Sequence, residues 1–144
     1  VEWFLEKQAI KHQPAYFYLL KTIPGIGRIL ALTILYEIGD IQRFESVQKF
    51  ASYARLIKCK AESAGKTYGT QGNKIGNAHL KWAFSEAAVL YLRGNSGAQQ
   101  LLQRFQKRMS KAKALSALAH KLGRAVYFML KNEKIFDEKR FLTS

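Results

Sequence analysis

Residues 113–131 read KALSALAHKLGRAVYFMLK and carry the helical pattern from which the fold is interpreted here. Their apolar side chains recur at intervals of three, four and seven residues, which is the repeat of one face of an α-helix. Ser110 is a suitable N-cap, and the helix is predicted to run to about Asn132. The apolar face consists of Leu115, Leu118, Ala119, Leu122, Val126, Met129 and Leu130.

The opposite face of the same helix is basic. Lys113, His120, Arg124 and Lys131 are spaced by seven, four and seven residues, so they share one side. A basic helix face is typical of proteins that bind phosphates. A solvated surface face has the same composition, and both interpretations stay open. Lys113 and Arg124 are candidate nucleic-acid-binding residues.

The segments on the N-terminal side of this helix predict further helices, and no segment shows the alternation of a strand. Residues 28–39 are apolar all round, with Ile29, Leu30, Leu32, Ile34 and Leu35, and are expected to be buried. The C-terminal tail, residues 135–144, is short and is expected to be frayed. The fold class is all-α, a single compact domain of about six or seven helices. The further helices are predicted near 2–12, 14–21, 28–39, 47–54, 78–93 and 96–109, with Ser46, Asn77 and Asn95 or Ser96 at three of their starts.

A short glycine turn joins two of the predicted helices. It reads Pro24-Gly25-Ile26-Gly27 and resembles a helix-hairpin-helix. In that motif, backbone amides at a helix N-terminus hold a DNA phosphate. The alternative is a turn that needs glycine only for close packing. Gly25, Gly27 and Arg28 are candidate nucleic-acid-binding residues.

The stretch 55–81, RLIKCKAESAGKTYGTQGNKIGNAHLK, has no periodicity and is interrupted by glycines. Connections longer than about 12–15 residues without secondary structure are uncommon and usually functional or disordered. Glycines let backbone amides approach an anion, and lysines supply the counter-charge. The stretch is therefore interpreted as a phosphodiester-binding loop, with Ser63 as candidate nucleophile, or as a mobile, solvated surface loop. Its candidate binding residues are Lys58, Lys60, Gly65, Lys66, Lys74, Asn77 and Lys81.

Two other side chains of this stretch have alternative interpretations. Tyr68 could stack on a base or attach the loop to the body of the protein. His79 could assist proton transfer or be an ordinary polar surface group.

Composition restricts the class of protein. The chain has 144 residues, a net charge of +14 and an isoelectric point near 10.0, which do not fit a typical metabolic enzyme. Such an excess of positive charge indicates nucleic acid or an anionic membrane as partner. No apolar run reaches the roughly 18 residues that a membrane span needs, which favours nucleic acid. Cys59 is the single cysteine, which fits a reducing, cytoplasmic compartment.

Recognised catalytic motifs are missing from the sequence. One cysteine and three scattered histidines provide no metal-ligand spacing. No histidine or aspartate pairs naturally with Ser63, and GNKIGN lacks the Lys-Ser/Thr of a Walker loop. A serine that attacks phosphate needs a base or a metal for activation. The carboxylates for a metal would therefore have to come from elsewhere. The chain opens at Val1 without Met and is expected to enter in mid-helix, so we expect it to be a piece of a longer protein.

Several segments together resemble one family, the bacterial insertion-sequence transposases that combine a RuvC-like DEDD nuclease domain with a bridge-RNA guide. The chain is similar to their C-terminal domain from Leu19 onward. Residues 21–144 would form this domain, and residues 1–20 would be the end of a preceding helical segment. The resemblance is carried by TIPGIGRILALTILYEIGDIQRF (22–44), FASYARL (50–56), ESAGK (62–66), GTQGNKIGNAHLKWAFSEAA (69–88) and KALSALAHKLGRAVYFMLK (113–131).

The resemblance implies a division of labour. In that family the RNase-H-like domain holds Mg²⁺ with four carboxylates, and the C-terminal domain supplies a serine that becomes covalently linked to DNA. The implied partners are DNA, a structured guide RNA, the N-terminal domain and further protomers. This chain itself would need no cofactor, would be inactive alone and would be nucleoid-associated. The family's serine, glycine pair and lysine fall on Ser63, Ala64, Gly65 and Lys66, its glycine-asparagine on Gly76 and Asn77, and its basic-Trp step on Lys81 and Trp82.

Three positions depart from the family pattern. Arg55 stands where the family often has glycine, Lys58 where it often has proline, and Ala64 where it has the first glycine after the serine. These departures concern the geometry of the loop. Two other hypotheses stay open beside the transposase: a non-catalytic helix-hairpin-helix module that binds nucleic acid, and a structural RNA-binding protein of ribosomal type.

Overall fold

Most helices begin where the sequence places a capping side chain. The Oγ atom of Ser46 accepts a hydrogen bond from the amide of Lys49, and that of Ser110 from Lys113. Asn77 and Asn95 cap the helices that follow them, through Leu80 and Ala98. Each cap satisfies one backbone amide that the first turn leaves without a helical partner. The predicted N-caps Ser46, Asn77, Asn95 and Ser110 are therefore confirmed.

The computed structural model describes residues 14–57 and 76–144. These ranges contain seven α-helices, one 3₁₀ turn at Ile41–Arg43 and no strand, which confirms the all-α prediction. The predicted helix near 2–12 lies outside the described residues, and the predicted domain boundary after residue 20 remains a prediction. The helices are α1 (Pro14–Leu20), α2 (Arg28–Ile38), α3 (Val47–Tyr53), α4 (Ala78–Leu92), α5 (Ser96–Gln106), α6 (Lys111–Asn132) and α7 (Glu138–Thr143).

Helix α6 lies at the centre of the domain. It packs along α4 and also contacts α1, α3, α5 and the 3₁₀ turn, while α2 packs against α4 and α1. Leu118, Leu122, Val126 and Leu130 are fully buried along α6, as the predicted apolar face requires. Burial of such side chains is the main favourable term in folding. The described residues thus share one hydrophobic core.

Aromatic rings join α3 to this core. The ring of Phe50 contacts those of Phe44, Phe84 and Tyr127, with centroid distances of 5.2, 6.1 and 5.7 Å. The hydroxyl of Tyr127 donates to the carbonyl of Phe44 over 3.2 Å, so this buried phenol has a partner. These contacts fix α3, and with it the start of the segment that follows, on the middle of α6.

The expectation that α2 is buried all round is wrong for Ile29. Its side chain is 57% exposed, and that of Tyr36, one heptad later on the same face, is 66% exposed. The physical reason is that α2 packs chiefly against α1 and α4 and lies at the outside of the bundle. An apolar residue on a helix does not by itself show that a neighbouring element covers it.

The expectation of a frayed C-terminal tail is also wrong. Residues of the tail form α7, in which Phe141 is buried and packs edge-on against Tyr91. The phenol of Tyr91 donates to Glu138 over 3.0 Å, and Asp137 caps the helix. The tail therefore completes the core at the C-terminal end of α4. Within the described residues no helix has the combined length and apolar character that a bilayer crossing demands.

Candidate functional site

The two ends of the segment that carries Ser63 meet at the junction of α3 and α4. Residues 58–75 lie outside the described residues, so the predictions for Ser63, Lys58, Lys60, Gly65, Lys66, Lys74 and Tyr68 remain predictions. The structure does describe what precedes and follows them. The amide of Asn77 donates to the carbonyl of Tyr53 over 2.6 Å. This bond closes the segment into a loop whose base is part of the folded domain.

The side chain of Asn77 connects three elements at this base. Its Oδ1 atom accepts from the amide of Leu80 at the start of α4. Its Nδ2 atom donates to Glu37 of α2 over 2.7 Å and to the phenol of Tyr53 over 3.3 Å. In this structure Asn77 thus positions the C-terminal end of the loop, and its predicted contact with nucleic acid remains a prediction.

A guanidinium lies beside the same junction. Arg43 stacks over the rings of Phe44 and Tyr53, at 4.4 and 4.7 Å from their centroids. Its Nε atom donates to the carbonyl of Ile38 over 2.8 Å. Hydrogen bonds from Asn77 and then from Arg43 lower the pKa of the Tyr53 phenol, and they outweigh the opposing effect of burial. Glu37, Arg43, Tyr53 and Asn77 are called the loop-base cluster below.

The backbone on both sides of the loop has a positive φ. Arg55 has φ 59° and Gly76 has φ 103°. A Cβ atom on Gly76 would lie 2.6 Å from the carbonyl oxygen of Tyr53, so only glycine fits there. Leu56 is held by a bond from its amide to Ala51 and packs in the space that Gly123 leaves on α6. The backbone therefore has a defined direction on both sides of residues 58–75.

The glycine turn at residues 24–27 has one glycine that serves close packing, and its binding of a DNA phosphate remains a prediction. Gly25 has φ 95°, and a Cβ atom there would lie 2.7 Å from the amide nitrogen of Tyr91, so this glycine serves close packing. Gly27 is the N-cap of α2 without a side-chain cap bond, and no atom lies within 4 Å of a Cβ built on it. Arg28 follows and is exposed. The space around Gly27 is what a phosphate at this helix N-terminus would need.

The predicted basic face of α6 is only partly available to a ligand. Lys113 and Arg124 are exposed. Lys131 is engaged in an intramolecular hydrogen bond, because its Nζ atom donates to Gln42 over 3.0 Å. Burial, followed by the charge of Arg124, lowers the pKa of His120 below its usual 6.5, so this imidazole is neutral at pH 7. Lys113 and Arg124 are the cations of this face that remain free to bind phosphate.

The first turn of α4 carries two more predicted residues. His79 and Lys81 follow Asn77 closely and are both exposed. Lys81 thus adds a cation next to the loop base. The catalytic interpretation of His79 is not tested by the structure. In residues 14–57 and 76–144, no group of three or more His, Cys, Asp or Glu side chains is suited to hold a metal ion.

Sequence reasoning did not find Glu37, Arg43 or Tyr53. One signal was present for Glu37, which is the only acidic residue on the apolar helix α2. A carboxylate on such a helix indicates a polar partner from another element. Arg43 and Tyr53 lie in ordinary positions of the sequence, and only the packing of the 3₁₀ turn against α3 brings them together.

Comparison with known proteins gives a consistent set of relatives. The pattern of the Transposase IS116/IS110/IS902 family matches residues 18–104. The pilin gene-inverting protein of Moraxella bovis is 31% identical over 131 residues, which cover 84% of this chain and 38% of that protein. The transposase for insertion sequence element IS1111A of Coxiella burnetii is 22% identical over 121 residues, 81% of this chain and 33% of that protein.

A third relative comes from Streptomyces coelicolor. The insertion element IS110 uncharacterized 43.6 kDa protein is 25% identical over 122 residues, 84% of this chain and 30% of that protein. The chain thus spans only 30 to 38% of the length of these three relatives. No solved structure shows a significant match.

Proposed function

Because this chain belongs to the IS116/IS110/IS902 family of transposases, we propose that it is the part of a DNA transposase that binds DNA and a guide RNA and supplies Ser63 as nucleophile. The observation that carries the proposal is the closed loop base. The bond between the Asn77 amide and the Tyr53 carbonyl, 2.6 Å long, joins the two ends of the segment that contains Ser63. Such a base would present the glycine- and lysine-rich segment from a folded domain, which is a common arrangement for catalytic loops.

The proposed chemistry is a transfer of one phosphodiester bond. The Oγ atom of Ser63 attacks the phosphorus, the Oγ–P bond forms, and the bond from phosphorus to one deoxyribose oxygen breaks. The serine loses its proton, and the departing deoxyribose oxygen gains one. Attack by the hydroxyl of another DNA end reverses these changes and frees the serine. No external energy source is needed, since each step exchanges one phosphate ester for another.

The described cations would position the DNA strand in this reaction. Lys81 is exposed in the first turn of α4, and Arg124 is exposed on α6 next to Gly123, where Leu56 packs. Contacts of lysine and arginine with phosphates orient a strand but do not select its sequence. The choice of sequence would then belong to the guide RNA, as in other RNA-guided systems.

The metal ion would belong to another part of the transposase. The described residues offer no cluster of ligands for Mg²⁺, so no step is assigned to a metal here. The three curated relatives are about three times as long as the part that this chain matches. We therefore assign Mg²⁺ to a RuvC-like domain outside residues 1–144, and the complete active site to an assembly of several protomers.

A covalent trap tests the proposal. The full-length transposase would be incubated with its guide RNA, Mg²⁺ and a nicked DNA substrate, then denatured, digested and analysed by mass spectrometry. We expect a nucleotide adduct on the peptide that contains Ser63, and none with Ser63→Ala. Ser85→Ala is the matched control, because Ser85 is exposed on α4 outside the loop. This variant should retain both the adduct and strand transfer.

Two outcomes would refute the assignment of Ser63. Strand transfer by Ser63→Ala at the normal rate would mean that water or a DNA hydroxyl is the nucleophile. An adduct on a different residue would move the nucleophile elsewhere. The non-catalytic nucleic-acid-binding module would be favoured by two results together. Substitutions at Gly27 and Lys81 would abolish DNA binding, and Ser63→Ala would have no effect on strand transfer.

A further inference from the structure

A second basic feature of the surface shares Arg124 with the basic face of α6. A cavity of about 450 Å³ opens between the C-terminal half of α6 and α7. This size is within the range of small-molecule binding sites, about 300–1,000 Å³. Its lining residues include Lys121, Arg124, Phe128, Lys134, Ile135 and Arg140.

The cavity carries an excess of positive charge. It is lined by four cations and by one acid, Asp137, whose carboxylate is used to cap α7. Within the described residues, none of these four cations forms an ion pair. Burial, followed by the charges of Arg104 and Arg124, lowers the pKa of Lys121. The Nζ atom of Lys121 donates to Ser144 over 2.9 Å, so Arg124, Lys134 and Arg140 remain for an anion.

The same cavity exposes apolar surface. Phe128 is 45% exposed and Ile135 is 67% exposed, although both are large hydrophobic side chains. The ring of Phe128 contacts Tyr127 only edge-on, with centroids 5.2 Å apart. Aromatic and apolar side chains next to cations form the combination that binds an unpaired base together with its phosphate. Duplex DNA cannot offer a free base face, so the combination favours a single strand.

The cavity is continuous with the basic face of α6 but separate from the loop base. Arg124 belongs both to the cavity and to the exposed basic face. Gly123 and Tyr127, on another side of the helix, contact Leu56 and Phe50 instead. A strand that follows the basic face would therefore reach the cavity without passing through the core.

We propose that the cavity between α6 and α7 binds an unpaired nucleotide of a DNA single strand. The base lies against Phe128 and Ile135, and the flanking phosphates lie against Arg124, Lys134 and Arg140. This site does not depend on the nucleophile at Ser63. It would hold a DNA strand that has separated from its complementary strand. The cleaved end of the DNA would lie at a different site of the transposase.

Binding of oligo(dT) tests the stacking part of the proposal. Fluorescence anisotropy would be measured with a strand of about fifteen nucleotides and with a duplex of the same length. Phe128→Ala should weaken oligo(dT) binding about ten-fold, as loss of one stacked base does, and leave duplex binding unchanged. Tyr18→Ala is the matched control, since Tyr18 is 58% exposed and contacts Phe17 edge-on at 5.3 Å. This control should not change either affinity.

Arg140→Gln tests the charge part of the proposal. Removal of one phosphate contact should reduce the steepness of the log–log salt dependence for oligo(dT) by about 0.7. Lys139→Gln, on the same helix but outside the cavity, should leave that dependence unchanged. Circular dichroism melting would show that each variant folds.

Three results would overturn the proposal. The first is an oligo(dT) affinity that neither Phe128→Ala nor Arg140→Gln changes. The second is that Phe128→Ala lowers the affinity for the single strand and for the duplex equally. This result would indicate a general change in the protein. The third is a lower affinity of Phe128→Ala or Arg140→Gln for oligo(U) with an unchanged affinity for oligo(dT). This result would assign the cavity to RNA instead of DNA.

Discussion

Gly76 is the first described residue after residue 57, and its position has no room for a side chain. It has φ 103°, and a Cβ atom would meet the carbonyl oxygen of Tyr53 at 2.6 Å. That oxygen also accepts the bond from Asn77 that closes the loop base. Steric strain at Gly76 would therefore act directly on the contact that joins Tyr53 and Asn77.

Gly76→Ala should lower the free energy of unfolding by about 2–3 kcal/mol, because both φ and the contact with Tyr53 are unfavourable. Gly94→Ala separates the two effects, since Gly94 has φ 59° but no atom lies within 4 Å of its Cβ position. This control should cost only about 1 kcal/mol. Urea denaturation measures both values. Equal losses for the two variants would show that the contact with Tyr53 has no energetic role.

Tyr91 is a residue whose ionisation is linked to stability. Burial, together with the hydrogen bond to Glu138 and its charge, raises the pKa of this phenol. The unfolded chain ionises near the ordinary value of 10.0. Above that pH the folded state binds more protons than the unfolded state, so stability falls as pH rises. The contribution is complete below pH 10 and is lost above it.

Unfolding experiments between pH 9 and 11 test this linkage. Above pH 10 the free energy of unfolding should fall by up to about 1.4 kcal/mol per pH unit because of Tyr91. Tyr91→Phe should be less stable by about 1 kcal/mol at pH 8. Its free energy of unfolding should also decrease less steeply with pH above pH 10. Subtracting the free energies of unfolding of the two proteins at each pH removes the contributions of other titrating groups. Parallel curves for both proteins would contradict the assignment to Tyr91.

At the scale of elements, α7 differs most from the sequence-based expectation. Phe141 is buried against Tyr91 and Phe136, with ring centroids 5.6 and 5.2 Å away. Phe141→Ala should therefore lower the free energy of unfolding by about 3 kcal/mol. Ile135→Ala, in the connection before α7, should change it by less than about 0.5 kcal/mol, because Ile135 is 67% exposed.

Thermal denaturation of the two variants distinguishes a docked α7 from a frayed one. A frayed tail would make both substitutions nearly neutral. A docked helix makes only Phe141→Ala destabilising. The result also bears on the cavity, because α7 forms one of its walls.

Charge is the property that belongs to the whole molecule. The net charge of +14 is spread over many lysines and arginines, and the described structure places several of them on exposed helix faces. Neutralisation of about six phosphates would give a log–log salt dependence with a slope near −5 on duplex DNA. Anisotropy titrations between about 50 and 200 mM salt would measure it. A slope near zero would contradict every nucleic-acid function considered for this chain.

Helices α1 to α6 and most of their starts could be predicted because their causes are local. Ser46, Asn77 and Ser110 each bond an amide three residues later, and the apolar repeat of α6 is set by the geometry of one helix. The family could also be predicted, since its motifs are short runs of neighbouring residues and the match to residues 18–104 confirms it. The net charge, and with it the expectation of a nucleic-acid partner, follow from composition alone.

What the tertiary structure decided depends on contacts between residues far apart in the chain. Glu37, Arg43, Tyr53 and Asn77 form one cluster only because α2, the 3₁₀ turn, α3 and α4 pack together. The exposure of Ile29, the docking of Phe141 and the basic cavity beside Phe128 likewise depend on which neighbour covers each face. A local pattern specifies that a face is apolar or basic, but the element that packs on it is chosen by the free energy of the whole core.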